Sequence, residues 1–171
     1  MDGMKTNQGL TVLELLVAMT IASVLLFYAI PAFNDFSDQR RIASGANMIV
    51  AGVNYARSEA ARLGTDVTLQ TMASEDDDEW GGGFCVTQND PGDCDAPLNV
   101  FTPDDVLSMN AVDGLQGLDG LTFNSRGMLV GVANIGKINV CGADADSNPG
   151  REVRINATGR ASVGEFTCPD P

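Results

Sequence analysis

The sequence contains no histidine. That excludes a Ser/His or Cys/His nucleophile, an imidazole proton relay and a histidine metal ligand. Bases are scarce too: 10 Lys+Arg face 23 Asp+Glu, a formal charge of −13 that repels phosphate backbones rather than gathering them. There is no G-x-S-x-G motif, no glycine-rich phosphate loop ahead of a helix and no internal repeat. These absences argue against an enzyme and against a cofactor. Hydrophobic residues nevertheless reach 44%, too many for a wholly disordered chain. With 171 residues the chain can form about one domain, and the same residues must supply any anchor.

The apolar residues are unevenly spread. Leu10 to Phe33 reads LTVLELLVAMTIASVLLFYAIPAF, with Glu14 as its one charged residue. A helix of that length spans a hydrocarbon core of about 30 Å. A secretory signal peptide would be shorter and would end in a small-residue cleavage site; Pro31-Ala32-Phe33-Asn34 does not supply one. A plain single-span anchor fits the hydropathy but leaves Glu14 without a purpose. Ahead of the run lies MDGMKTNQG, short and polar, and either Met1 or Met4 can serve as the start.

Gly9-Leu10-Thr11-Val12-Leu13-Glu14 resembles the processing site of type IV pilins and type II secretion pseudopilins. The resemblance implies that a prepilin peptidase removes a leader, residues 1–9, by cutting after Gly9 on the cytoplasmic side. It implies that the new amino terminus on Leu10 is methylated and that the transmembrane helix, 10–33, is kept. The family most often has phenylalanine where this chain has Leu10. Cutting there would place an amine four positions before Glu14, on the same helical face. An ammonium and a carboxylate that are each costly in lipid become tolerable as a pair, within one subunit or between neighbours.

Pro31 is expected to kink the helix, because proline lacks the N–H and crowds the preceding turn. An amphipathic helix over 34–63 is then predicted from Ile42, Ala46, Ile49, Val53, Ala56, Ala60 and Leu63, spaced by fours and threes, with Gly64 as C-cap. Beyond it, 64–171 reads as a β-rich domain. Strands are expected at Asp66–Gln70, Gly83–Thr87, Leu98–Phe101, Leu121–Asn124, Met128–Val132, Lys137–Cys141, Arg151–Asn156 and Ala161–Thr167. The fold class is therefore α+β: one long N-terminal helix packed on a C-terminal antiparallel β-sheet domain.

In order along the chain come Ala56-Arg57-Ser58-Glu59-Ala60, Val67-Thr68-Leu69, Trp80 with glycines, Thr122-Phe123-Asn124-Ser125-Arg126-Gly127, Arg154-Ile155 and Gly159-Arg160. This succession resembles the GspH/FimT branch, which includes pseudopilin H of type II secretion and the minor pilins FimT and FimU. Some FimT-like proteins bind DNA through a C-terminal Gly-Arg-x-Arg motif. Here Gly159-Arg160-Ala161-Ser162 lacks the second arginine, so Arg154 and Arg160 read as strand-surface charge rather than nucleic-acid contacts.

The four cysteines, Cys85, Cys94, Cys141 and Cys168, all lie in the β-rich part and allow three disulfide connectivities. Cys85–Cys94 and Cys141–Cys168 are favoured because each closes a local segment. A zinc site of four thiolates competes, but neither spacing is C-x-x-C. Between Arg62 and Arg126 stand 13 acidic residues and no basic one, densest at Glu75-Asp76-Asp77-Asp78-Glu79. They read as a solvated loop, with calcium or a basic partner as the alternative. Asp144, Asp146 and Asn148 echo an EF-hand loop, yet the glycine falls one place late and Ile155 occupies the glutamate position, so no metal site is assigned.

The resemblance thus implies a minor pilin of GspH/FimT type, in the inner membrane with its C-terminal domain in the periplasm, then in a pilus near its tip. Its partners would be other pilins, the prepilin peptidase and the inner-membrane assembly platform. Pseudopilin H of type II secretion is the alternative, and a membrane-tethered calcium- or ligand-binding domain a further one.

Overall fold

The computed structural model describes residues 11–72, 80–88, 94–115, 120–131, 136–142 and 149–169. The chain divides into two compact units, residues 1–37 and 38–171. A single helix, α1 (Val12–Leu63, 52 residues), contributes to both. Its assignment runs unbroken through Pro31.

In the first unit the helix is bare. Val12, Leu16, Met19, Val24, Phe27 and Phe33 are all more than half exposed. This is the chain's one helix, among the described residues, that is long and apolar enough to cross a membrane.

In the second unit the helix turns one face into a core. Ile42, Ala46, Ile49, Val53, Ala56 and Ala60 are buried, at the three-and-four spacing that places residues on one helical face. Gly45 and Gly52 share that face. A Cβ on Gly45 would stand 2.7 Å from the side chains of Leu107 and Met109, and one on Gly52 would stand 2.8 Å from Phe84. The helix can approach the strands closely only because those two positions carry no side chain. Gly64, at φ 69°, ends the helix and donates its N–H to the Ala60 carbonyl at 3.0 Å.

The strands are β1 (Val67–Thr71), β2 (Phe84–Gln88), β3 (Asn99–Phe101), β4 (Leu107–Val112), β5 (Gly120–Phe123), β6 (Gly136–Gly142), β7 (Pro149–Ile155) and β8 (Ala161–Thr167). They form two four-stranded antiparallel sheets, ordered β3-β2-β1-β5 and β4-β6-β7-β8, that share no strand. Leu107, Met109 and Ala111 alternate inward along β4 and meet Val140 and Ile138 of β6, so the second sheet presents an apolar face. Trp80 and Phe84 fill the core beside the first sheet with ring centroids 5.8 Å apart, and Phe84 stacks on Phe101 at 5.1 Å.

Two strand expectations require correction. Leu107–Val112 is a strand that the sequence reading omitted. Conversely, the described residues of Met128–Val132 make only one isolated bridge, Leu129 to Phe123. Gly127 and Gly131, at φ 70° and 80°, bend the chain on either side and interrupt any longer ladder.

Disulfides join Cys85 to Cys94 and Cys141 to Cys168. The second crosses a strand. Cys141 lies on β6 and Cys168 just beyond β8, with β7 between them. The bond passes over Gly150 of β7, where an added Cβ would come within 2.4 Å of the Cys168 sulfur and 2.8 Å of the Val140 carbonyl oxygen.

Candidate functional site: a bare helix and an arginine corner

Two regions answer to the residues singled out in the sequence. The first is the start of α1. Gly9 and Leu10 lie outside the described residues. Glu14 is in the first turn, exposed, and its N–H donates to the Thr11 hydroxyl at 3.2 Å, while the Leu15 N–H reaches the Thr11 carbonyl at 3.2 Å. Thr11 is therefore the N-cap, and Thr11-x-x-Glu14 is a capping-box sequence that the reading above did not notice. The Glu14 carboxylate sits in the first turn, at the positive end of the helix dipole. Further along, Thr20 donates its hydroxyl to the Val17 carbonyl at 2.8 Å and Ser23 to that of Met19 at 2.7 Å. Folding these hydroxyls back onto the helix suits a rod that enters hydrocarbon, where an unpaired polar group is costly.

The second region gathers three sequence segments that lie far apart in the chain. Asn124-Ser125-Arg126-Gly127 follows β5 of the first sheet, and Asn156-Ala157-Thr158-Gly159 joins β7 to β8 of the second. The turns are built alike. The Asn124 side chain accepts from the N–H groups of Arg126 and Met128, and that of Asn156 from those of Thr158 and Arg160, all at 3.0–3.1 Å. Gly127 and Gly159 each close a turn by donating to the asparagine carbonyl, at 2.7 and 2.8 Å, and each has a positive φ, 70° and 73°. The turns touch: the Leu129 N–H donates to the Ala157 carbonyl at 3.2 Å.

Arg57 of α1 reaches into this junction and donates its Nε–H to the Gly127 carbonyl at 3.0 Å. A Cβ on Gly159 would strike the Gly127 oxygen at 2.5 Å and Arg57 Nε at 2.9 Å, so glycine is required by space as well as by φ. The helix, the first sheet and the second sheet are thus fastened at one point. In the sequence Arg57 stands out only as part of the Ala56–Ala60 segment, with no partner indicated. The available signal was the repeated N-x-x-G.

Of the two arginines considered for nucleic acid, Arg154 is tied to the buried carboxylate of Glu152, which Lys137 also approaches at 3.4 Å. Lys137 Nζ lies 3.0 Å from Asp113 as well, and hydrogen bonds to Asp113 and then Glu152 raise its pKa above the ordinary lysine value. Arg160 follows Gly159 and is exposed. Asp144, Asp146, Asn148 and the acids Glu75–Glu79 lie outside the described residues. Among the described residues no cluster of three or more carboxylates or thiols could hold a metal ion.

Residues 45–159 match the family described as type II transport protein GspH, and residues 4–30 match the prokaryotic N-terminal methylation motif. Two crystal structures of the type IV minor pilin FimU of Pseudomonas aeruginosa resemble the fold. They are 27% and 26% identical, cover 71% and 75% of this chain and 91% and 92% of their own, and give TM-scores of 0.58 and 0.61. The minor pseudopilin EpsH of the Vibrio cholerae type 2 secretion system is 14% identical over 73% of this chain and 97% of its own, with a TM-score of 0.53, a likeness of fold alone. A search of curated proteins returned no match.

Proposed function

The chain belongs to the GspH family, a family of structural pilin and pseudopilin subunits, and from that premise we propose that it is a minor pilin that enters a type IV pilus through α1. The observation that carries this reading is the first half of the helix. Its apolar side chains are exposed over Val12–Phe33, they surround one charged residue, and they follow an N-terminal methylation motif. A soluble domain has no use for such a rod; a filament built by packing helices does.

In this reading the prepilin peptidase cuts after Gly9, and the methylated amine of Leu10 meets Glu14 of its own or an adjacent subunit, fixing the axial register. Before assembly the subunit is anchored in the inner membrane by one span, with the globular domain in the periplasm, where the two disulfides are chemically at home. Helix packing drives assembly, and the globular domain sets position, near the tip, and neighbours. The role is structural, not catalytic.

The 26–27% identity to a type IV minor pilin favours the pilus. The family description, type II transport, favours pseudopilin H of a secretion system as the second reading. Deleting the gene separates them: loss of surface pili with export intact supports the first, and the reverse supports the second. Mass spectrometry of the membrane-extracted protein tests what both share. A methylated Leu10 terminus is expected, and a chain beginning at Met1 or Met4 would refute it.

A further inference from the structure

Aromatic residues occur at only one level of the bare half of α1. Over residues 11–26 there is none; Phe27, Tyr28, Phe33 and Phe36 then follow within ten residues. All four are more than half exposed. At about 100° per residue, Tyr28, Phe36 and Phe33 lie about 100°, 180° and 240° around the axis from Phe27, so no gap exceeds ~120°. A seam for packing against another helix would gather on one face. These four ring the rod instead. Phe27 and Tyr28 meet edge to face with centroids 5.6 Å apart, and the Tyr28 hydroxyl gives its ring a polar tip.

Polarity brackets the same stretch. Between Glu14 and Asp35 no residue is charged, and the hydroxyls of Thr20 and Ser23 are turned back onto helix carbonyls. The ring is centred near residue 31, just before Asn34 and Asp35 restore polar sequence. Counting back a hydrocarbon thickness of about 30 Å, or ~20 residues of helix, reaches Thr11. The aromatic level and the helix start thus stand one hydrocarbon thickness apart.

We propose that Phe27, Tyr28, Phe33 and Phe36 form a girdle that seats in the headgroup boundary of a phospholipid bilayer, at the end of the span that leads into the globular unit, and pins the helix there. Aromatic rings are favoured at this boundary, where an apolar body and a polar rim are both satisfied. The girdle needs a spanning helix and so rests on the membrane reading above, to which it adds the end at which the span is held. The consequence lies at the other end. A helix pinned by its girdle keeps Glu14 less than one turn inside the opposite boundary, where a carboxylate reaches headgroup water and escapes most of the cost of the bilayer centre.

The test uses the full chain with a nitroxide on Val12→Cys, Ala22→Cys or Ala32→Cys, in vesicles of phosphatidylethanolamine and phosphatidylglycerol with shorter or longer acyl chains. The native cysteines are held in disulfides and take no label. Depth is read from relaxation by oxygen and by a water-soluble nickel complex. The label at 22 is expected deepest, with those at 12 and 32 near the lipid phosphates. As the bilayer thickens, the label at 32 should hold its depth while the label at 12 takes up the whole change. In the variant Phe27→Leu/Tyr28→Leu/Phe33→Leu/Phe36→Leu, still apolar and altered only at exposed positions, both labels should shift equally. A wild-type label at 32 that moves as much as the label at 12, or one that stays fixed in the leucine variant, would overturn the girdle. All three labels in water would sink the membrane reading and the girdle with it. A label at 22 deep in lipid, with the label at 32 unpinned, leaves that reading standing and removes only the girdle.

Discussion

The disulfide that straddles β7 makes a quantitative test of how this domain is held. Closing a segment with a sequence separation of 27 removes unfolded-state entropy worth about 3.5 kcal/mol in the loop-closure account. Removing it by Cys141→Ala/Cys168→Ala should therefore lower the melting point by roughly 10 °C for a domain of this size. Gly150→Ala probes the same bond from beneath. Its Cβ would stand 2.4 Å from the Cys168 sulfur and 2.8 Å from the Val140 oxygen, so β7 or the bridge must shift, at a cost of about 1–3 kcal/mol. In the Cys141→Ala/Cys168→Ala background the contact with sulfur is gone and only the carbonyl contact remains. The substitution should then cost less by ~1 kcal/mol, a coupling that a double-mutant cycle measures directly. Urea unfolding in detergent, followed by fluorescence, is the assay, because Trp80 is the single tryptophan and is fully buried. Maleimide labelling gives the oxidised fraction alongside. Equal cost of Gly150→Ala in both backgrounds, with oxidation complete, would refute the claim that the bond needs a glycine under it.

Four further outcomes are expected. Gly9→Leu should leave an uncut precursor about nine residues longer than the mature protein, read by mass spectrometry. Glu14→Ala should be cut but fail to enter filaments, as judged by immunoblot of sheared filaments; normal incorporation would remove the amine pairing. Arg57→Ala should destabilise the globular unit by about 1–2 kcal/mol in the same urea assay, since it loses a hydrogen bond to a carbonyl within the fold, and Arg57→Lys should not restore it. Lys137 is held charged by Asp113 and Glu152, so its raised pKa stabilises the fold fully below the ordinary lysine value, near 10.5. That contribution should fade as pH climbs through the folded value, and Lys137→Met should flatten the alkaline limb of a stability-pH profile.

The helix was the most legible part of the chain. A 3.6-residue period sustained from Ile42 to Ala60 and a glycine stop at Gly64 are strong local signals, and each buried position belongs to one face. The strands were less so. Leu107-Ser108-Met109-Asn110-Ala111-Val112 alternates, but asparagine and alanine have low strand propensity, and the flanking Asp104-Asp105 and Asp113-Gly114 suggest loop. Met128–Val132 misled in the opposite sense, being apolar enough for a strand while its bracketing glycines take left-handed conformations. The division into two sheets was not readable at all, because pairing partners are chosen by tertiary contact rather than by composition. The motif residues around Arg57, Asn124 and Asn156 could be picked out as a succession, but not as a place. Arg57 and Gly127 are 70 residues apart, and their bond is to a backbone oxygen that no side-chain pattern advertises.

Since the two sheets have no strand in common, agreement between them depends on the core they share, on α1, on the bond from the Trp80 N–H to the Met109 carbonyl and on the small junction where the helix's arginine meets the asparagine turns. Damage there would leave each half internally sound and yet misaligned with the other. Such a lesion would show itself as two unfolding steps in place of one. Amide exchange should then quicken first at Gly127 and Gly159 and only later in the centres of β1 and β6, making this corner the seam at which the domain comes apart.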